Sequence, residues 1–384
     1  MNRALSLLMV TFTVSSAFAQ DTSRWLDPRC TPLEISKNGP FIQEADGTLL
    51  AVFEKKLQRS TDGGKTWAVA SPEIAPGVNL EHVGHVGQIM RTTSGTIVVT
   101  YLNFDGYKFE WDDEKNEPKP TCKLELRAIR STDNGKTWVD EQLLLPGYNA
   151  DYMGFIQTKS GRIVVAAEHL DHELKRWVVC SIVSDDDGKT WRRGNWIDLG
   201  GRGHHDGAVE PMVVELNSGK LMMLIRTNLD QFWRAYSDDG LYWRTIEPSG
   251  IDASSAPGWL LRLKSGNLAL VWNRLNSERK GVWEKSGGAS TAETPASWHR
   301  EELSMAFSSD DGKTWCKPTV VAHQDGGQFA YPYLMERAPG ELWVFTRYTY
   351  DAASKPAPYL AFSVKESDLL RSEERRVGKE CRSR

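Results

Sequence analysis

The chain has 384 residues, of which 40% are hydrophobic and 26% are charged, and its formal net charge at pH 7 is −4. This is the composition of an ordinary globular protein, and the mild negative charge argues against a surface that binds nucleic acid or an anionic membrane. We therefore expect neither kind of partner, and we expect a monomer.

Residues 1–19 have the pattern of a secretory signal peptide. Arg3 precedes an apolar stretch from Leu5 to Val14, and Ala17-Phe18-Ala19 is a small-x-small cleavage signal. The apolar stretch is shorter than the ~20 residues that a membrane-spanning helix needs. We expect a mature protein that begins near Gln20 and is secreted or periplasmic.

Short apolar runs recur along the chain, and a glycine opens each of them. The six runs are Gly47–Glu54, Gly95–Leu102, Gly161–Glu168, Gly219–Arg226, Gly266–Asn273 and Gly340–Arg347. They are rich in Val, Leu, Ile and aromatic residues and too short for helices, so each predicts a strand that follows a tight hairpin.

An eight-residue turn motif, the Asp box, follows most of these strands. The copies are Ser60–Trp67, Ser131–Trp138, Ser184–Trp191 and Ser308–Trp315, with a degenerate copy at Tyr236–Trp243. In such a turn the Asp and Ser side chains accept hydrogen bonds from backbone N–H groups, and Gly adopts the left-handed conformation. The Trp that ends the turn can bury its large apolar ring. We expect all these tryptophans to be buried.

Together the two repeats predict an all-β fold, a six-bladed β-propeller of four-stranded antiparallel blades. The expected blades are 34–78, 79–146, 147–200, 201–249, 250–320 and 321–369, in a single domain over residues 20–369. A strand from between Trp25 and Ile35 should complete the last blade. Residues 370–384 are basic and lack a strand pattern, so we interpret them as a disordered or foreign tail.

Propeller geometry sorts the polar residues by face. The starts of strands A, the ends of strands B and the B–C connections share one face, which we call the axial face, and the boxes lie on the other. Two connections, Asn103–Lys123 and Leu275–His299, are long, and long loops are often functional. Their aromatic side chains suit the apolar faces of sugars.

Several arginines are predicted on the axial face, and the guanidinium group is suited to bidentate contact with a carboxylate. An ion pair between blades is the alternative for any single arginine, but four on one face favour an acidic ligand. They are Arg226, Arg274, Arg300 and Arg347.

These residues resemble the sialidase (neuraminidase) superfamily, whose members have six blades with Asp boxes. Glu210 stands sixteen residues before Arg226, Arg300 stands eight before the box residue Ser308, and Tyr331 stands nine before the hairpin residue Gly340. The resemblance implies that Tyr331 is the nucleophile, that Glu210 takes its proton, and that Arg226 and Arg300 clamp the substrate carboxylate.

Two features of that family are missing. Its Arg-Ile-Pro motif reads Asn38-Gly39-Pro40, so Asn38 replaces a clamp arginine, and the strand ending at Glu54 has no following loop to carry the acid/base Asp. Arg274 or Arg347 are candidates for the third guanidinium group. The candidates for the proton donor are His85, His205, Asp151 and Asp206. For each histidine the alternative is a structural role as a hydrogen-bonded side chain.

The leading hypothesis is an exported, exo-acting glycoside hydrolase whose substrate is an acidic glycan or oligosaccharide. One alternative is a polysaccharide lyase, in which His85 or His205 removes a C5 proton from a uronate and Tyr331 protonates the leaving oxygen. Another is a non-catalytic glycan-binding propeller, which has no use for a nucleophile and base. No ligand spacing indicates a metal, and no cofactor is expected. A hydrogen bond between Tyr331 and Glu210 would favour nucleophile activation.

Overall fold

The main strands form six antiparallel sheets in the computed structural model, which describes residues 24–80, 86–277, 281–282, 292–349 and 359–370. The sheets follow one another along the chain as blades 1 to 6, each with strands in the order A, B, C and D. A hydrogen bond of 2.8 Å from Gln43 Nε2 to the Arg337 carbonyl oxygen joins the first blade to the last. The six-bladed propeller predicted from the sequence is confirmed.

The strands of the first three blades have the following bounds. Blade 1 contains Phe41–Gln43, Leu49–Phe53, Lys56–Ser60 and Ala68–Glu73; blade 2 contains Gly87–Arg91, Ile97–Lys108, Lys123–Ser131 and Val139–Leu145; blade 3 contains Gly154–Gln157, Ile163–Asp171, Arg176–Ser184 and Arg192–Arg193.

The remaining blades are built in the same way. Blade 4 contains Val209–Glu215, Leu221–Arg226, Gln231–Ser237 and Thr245–Asp252; blade 5 contains Trp259–Arg262, Leu268–Trp272, Glu302–Ser308 and Thr319–Gln324; blade 6 contains Gln328–Ala338, Glu341–Thr349, Tyr359–Lys365 and Thr31–Pro32. Small ribbons pair Trp111–Asp112 with Glu117–Pro118 and Asn276–Ser277 with Gly281–Val282. Residues 366–370 form a short helix.

The N-terminal segment closes the ring, but it does so through two blades rather than one. Thr31–Pro32 pairs with Tyr359–Lys365 as the outermost strand of blade 6, while Arg24–Leu26 adds a fifth strand to blade 5 beside Thr319–Gln324. The predicted blade limits at residues 249 and 320 are also slightly wrong, because the strands there continue to Asp252 and Gln324.

The hairpin glycines and the boxes occupy the turns that the sequence predicts. The six glycines lie in the A–B turns with φ between 74° and 95°, the left-handed region that favours glycine. In the first box, Gly64 N–H donates to Ser60 Oγ at 2.8 Å and Thr66 Oγ1 donates to Asp62 Oδ2 at 2.6 Å. Each box is therefore a self-contained C–D turn.

The expected burial of the box tryptophans is mostly wrong. Trp243 is buried, with 2% of its surface exposed, but Trp67, Trp138, Trp191 and Trp315 are half-buried. In the first and third boxes the indole folds back over its own turn: Trp67 Nε1 donates to the Gly64 carbonyl oxygen and Trp191 Nε1 to the Gly188 carbonyl oxygen, both at 3.0 Å. Part of each ring consequently stays exposed to water.

The described cysteines form no disulfide with one another; they are Cys30, Cys122, Cys180 and Cys316. Cys381, the predicted signal peptide and residues 371–384 of the predicted tail lie outside the described residues, whereas residue 370 ends the short helix. Within the described ranges, no helix has the length and apolar character needed to cross a membrane.

Candidate active site

Two backbone bulges shape the centre of the axial face. The pairing of strands A and B shifts register between Val209 and Met212 in blade 4, and between Ala330 and Tyr333 in blade 6. The bulged residues Glu210 and Tyr331 have φ of 44° and 54°. Side chains with a Cβ rarely adopt this conformation, and bulges of this kind often redirect a side chain beside an active site.

The two bulged side chains meet. Tyr331 Oη donates a hydrogen bond to Glu210 Oε1 at 2.9 Å, and Arg226 Nη1 donates to the other carboxylate oxygen, Oε2, at 2.5 Å. Glu210 and Arg226 are 4% and 3% exposed, so this ion pair is shielded from water. The arrangement places a phenol against a carboxylate that can accept its proton.

Arg300 lies beside this pair. Its Nη2 donates to the Ser255 carbonyl oxygen at 3.0 Å, and its guanidinium carbon is 5.9 Å from the centre of the Tyr331 ring. Ser255 Oγ also accepts from Arg226 Nε at 3.2 Å, so one loop residue holds both arginines.

The charge of Arg300 lacks an anionic partner within the described part of the chain. The side chain is 8% exposed, and its Nε has no hydrogen-bond partner there. Burial, together with the positive charges of Arg226 and Arg347, lowers the pKa of Arg300. A buried guanidinium group with unused donors is suited to an anionic ligand.

The electrostatics of the pair are consistent with this geometry. Burial, reinforced by the negative charges of Glu210 and Asp151, raises the pKa of Tyr331 well above its ordinary value. Burial opposes the charge of Arg226, but Glu210, Tyr331 and Glu168 together raise the pKa of Arg226. Tyr331 is therefore a neutral phenol whose hydroxyl group is hydrogen-bonded to Glu210.

The proposed proton donors differ in where they lie. His85 lies outside the described residues. Asp206 Oδ2 accepts from the Arg202 and Thr294 backbone N–H groups at 3.2 and 2.9 Å, so this carboxylate holds two loops together. Asp151 is half-buried and acts electrostatically on Tyr331. It lies in the loop before strand A of blade 3, where the Met153 N–H donates to the Pro211 carbonyl oxygen at 3.2 Å.

His205 lies close enough to the arginines to be affected by their charge. Burial, with His204, Arg226 and Arg300 nearby, lowers the pKa of His205 to about 3. A histidine that is neutral and this weakly basic is a poor general base at ordinary pH, because an efficient base has a pKa near the working pH. This finding weakens the lyase alternative as far as His205 is concerned.

The two other predicted arginines have different surroundings. Arg274 Nε lies 3.4 Å from Asp252 Oδ1. This is an ion pair between neighbouring blades, the alternative to binding an acidic ligand. Arg347 is exposed but near enough to Arg300 to lower its pKa. Asn38 is half-buried ahead of strand A of blade 1, and in the described part of the chain no recorded hydrogen bond joins it to Arg226 or Arg300.

The absence of an acid-bearing loop in blade 1 agrees with the sequence. Phe53 pairs directly with Lys56, and the two-residue turn between them, Glu54 and Lys55, has φ of 49° and 61°. Such a tight turn leaves no room for a projecting loop.

An array of rings joins the first long connection to the site. The centre of the Phe109 ring is 4.8 Å from that of His204, which is 3.9 Å from His205, which is in turn 5.8 Å from Trp298. Trp298 lies 5.1 Å from the Arg300 guanidinium carbon. Phe109 of the first long connection is thus linked through these rings to the surroundings of Arg300.

Sequence reasoning placed Glu168 at the end of a strand B but gave it no role. The structure shows its Oε2 accepting a hydrogen bond from the Glu210 backbone N–H at 2.7 Å, and the side chain is buried. This contact could be predicted only from the backbone bulge at Glu210, and nothing in the local sequence indicates that bulge.

Six radial sheets, Asp-box turns and a Tyr–Glu pair beside buried arginines together define a propeller of the Asp-box class. The chain matches the BNR repeat-like domain over residues 115–344 and the BNR/Asp-box repeat over residues 58–68. It belongs to the BNR repeat-like domain family and is a divergent member of the sialidase superfamily, as the resemblance predicts.

Two curated relatives are sialidases. The sialidase of Micromonospora viridifaciens is 23% identical over 324 residues, covering 78% of this chain and 46% of the relative. The sialidase of Bacteroides fragilis (strain YCH46) is 26% identical over 328 residues, covering 75% of this chain and 55% of the relative. The chain thus spans about half the length of these relatives.

Solved structures of different enzymes share the fold. Trypanosoma rangeli sialidase superposes with a TM-score of 0.53 at 15% identity, over 93% of this chain and 63% of that one. An alpha-L-arabinanase of Penicillium chrysogenum, complexed with arabinobiose, gives a TM-score of 0.52 at 14% identity, over 89% of this chain and 95% of that one. At these identities the likeness shows the fold alone.

Proposed function

We propose that this protein is an exported exo-acting glycosidase that removes a terminal acidic sugar, with Tyr331 as nucleophile and Glu210 as its base. The observation that carries the proposal is the 2.9 Å hydrogen bond from Tyr331 Oη to Glu210 Oε1. A binding protein has no need of a buried phenol paired with a carboxylate. A phenol is also a suitable nucleophile for a carbon next to a carboxylate, because that group repels an attacking Asp or Glu.

The arginines supply the selectivity for an acid. Arg226 is already paired with Glu210, whereas Arg300 offers a buried charge whose Nε has no acceptor among the described residues. A substrate carboxylate would provide that acceptor, and Arg347 lies near enough to add a second positive charge.

The steps follow from these contacts. Tyr331 Oη attacks the anomeric carbon while its proton passes to Glu210, and the bond to the leaving sugar oxygen breaks as that oxygen gains a proton. Water then attacks the tyrosyl-linked sugar and gives a proton to the carboxylate that protonated the leaving oxygen. The bond between Tyr331 and the sugar breaks as the proton on Glu210 returns to Tyr331. Asp151 is the best-placed described carboxyl group for the leaving oxygen, because Asp206 is committed to backbone contacts and Asp151 acts on Tyr331.

The experiment is covalent trapping. A fluorinated acidic-sugar analogue with a good leaving group should label Tyr331, which peptide mass spectrometry would locate, and a Tyr331→Phe variant should remain unlabelled. The product of the natural reaction should be a saturated acidic monosaccharide. A product with a C4–C5 double bond that absorbs in the near ultraviolet would instead support the lyase alternative.

A further inference from the structure

Glu168 lies in strand B of blade 3, the blade next to that of Glu210. The residue is 3% exposed, and its Oε2 accepts the Glu210 backbone N–H at 2.7 Å. The mechanism proposed above does not use this side chain.

The contact falls on a peptide group that the bulge in blade 4 leaves outside the regular ladder. Glu210 lies where strands A and B of blade 4 lose register, so its N–H cannot enter the regular ladder. Its φ of 44° is one that the surrounding structure has to maintain. A buried N–H without an acceptor is unfavourable, and Glu168 supplies the acceptor from the neighbouring blade.

We propose that Glu168 is a positioning residue for the reaction: its carboxyl group fixes the Glu210 backbone in the left-handed bulge, so that the Glu210 carboxylate reaches Tyr331 and Arg226 together. The inference rests on the proposed function, since the reaction defines what is positioned. It adds a residue that has no contact with the reacting atoms.

Burial and the charges around Glu168 favour the neutral form of its carboxyl group. The groups that face it are Glu210, Asp151, Arg226 and Tyr148. Burial and the negative charge of Glu210 raise the pKa of Glu168 well above its ordinary value, and Asp151 adds to the effect. A neutral carboxyl group can accept the N–H bond through its carbonyl oxygen without placing a second negative charge beside Glu210.

This predicts a clear difference between two substitutions. Glu168→Gln keeps a carbonyl oxygen and no charge, so kcat should stay within about threefold of the wild type, whereas Glu168→Leu removes the acceptor and should lower kcat by at least about tenfold. KM should change by less than about threefold in both variants, because Arg226 and Arg300 remain. Glu366→Gln is a matched control, since Glu366 is a buried glutamate that accepts from Ser265 Oγ and Asn267 Nδ2 near the A–B hairpins.

Two outcomes would overturn the inference. A Glu168→Leu variant with wild-type kcat would show that the contact positions nothing. Equal losses in Glu168→Gln and Glu168→Leu would show that the carboxyl group itself transfers a proton. Circular dichroism would establish that each variant is folded, and Glu168→Ala would replace the leucine variant if that one does not fold.

A second measurement separates this inference from the proposed function. If the wild type cleaves no acidic glycoside, the proposed function is wrong, but the positioning can still be tested by an ultraviolet titration of Tyr331. The signal of Tyr331 is obtained by subtracting the titration of the matching Tyr331→Phe variant. Glu168→Leu should lower the pKa of Tyr331, because Glu210 no longer faces it, and Glu168→Gln should not. An unchanged titration in Glu168→Leu would overturn the inference.

Discussion

Replacing Arg300 by methionine should weaken the binding of an acid while leaving the fold as stable as before or more stable. The guanidinium group is buried and forms no ion pair in the described part of the chain. Even a buried ion pair can often be replaced by apolar side chains of similar volume with no loss of stability or with a gain of about 1–4 kcal/mol, because buried charges are costly to remove from water. Against this stand a hydrogen bond to a carbonyl oxygen, about 0.5–1.5 kcal/mol, and contacts with the Trp298 and Tyr331 rings, about 0.5–2 kcal/mol.

Arg226→Met is the matched comparison, because Arg226 lies on the same face and is equally buried. Its removal leaves the Glu210 carboxylate buried without its partner at 2.5 Å, which should cost about 3–5 kcal/mol. The free energies of unfolding of the two variants, measured by urea denaturation, should therefore differ by about 3 kcal/mol or more. Similar losses in both would refute the idea that Arg300 is unpaired.

Binding supplies the second half of the assay. Losing a bidentate guanidinium contact costs roughly 2–5 kcal/mol, so Arg300→Met should bind an acidic sugar at least about thirtyfold more weakly. The wild type should discriminate between the acid and its carboxyl-reduced analogue, and the variant should not. Equal affinity of the wild type for both ligands would contradict the carboxylate clamp.

Four further substitutions, and one pH series with a fifth variant, test the site and the fold. Tyr331→Phe should lower kcat at least about a thousandfold in steady-state assays while ligand affinity, measured by calorimetry, is kept; appreciable residual turnover would argue against a nucleophile. Asp151→Asn should slow cleavage of a natural linkage by about 10²–10⁴-fold but that of an aryl glycoside much less, and equal effects on both would exclude it as the acid. Trp243→Ala should lower the free energy of unfolding by about 3–5 kcal/mol, and Trp67→Ala by about half as much because its ring is half exposed; thermal denaturation that ranks them the other way would contradict the burial argument. Hydrogen bonds from Thr314 lower the pKa of Asp310 to about 2 from its ordinary 3.8. The contribution of Asp310 to the stability of the fold is therefore present above pH 3.8 and is lost as the pH falls towards about 2. In the Asp310→Asn variant the melting temperature should depend less on pH between these two values.

The fold was predictable from sequence because its repeats are local. Gly340 and its counterparts fix hairpins through their own backbone conformation, and an Asp box such as Ser60–Trp67 forms its hydrogen bonds within the motif. The partners of the N-terminal strands were less accessible. Nothing in Arg24–Leu26 specifies that it joins blade 5 while Thr31–Pro32 joins blade 6, since strand pairing at the ends of a chain depends on geometry distant in sequence.

The site was predictable where spacing reflects strand length and not where bulges intervene. The interval from Glu210 to Arg226 follows from one hairpin, so their pairing could be anticipated. Glu168 was not anticipated, because its contact depends on a peptide group that leaves the ladder. Arg274 shows the converse, a residue on the expected face that is paired with Asp252.

The way in which the ring closes also affects how the chain is assembled. Residues 24–32 are synthesised before any blade, yet their partners at Thr319–Gln324 and Tyr359–Lys365 are synthesised last. The outer edges of two adjacent blades therefore stay uncovered until the two ends of the chain meet. Exposed strand edges pair readily with other chains. Loss of residues 24–32 would therefore expose the outer edges of two adjacent blades and favour association between copies of the protein.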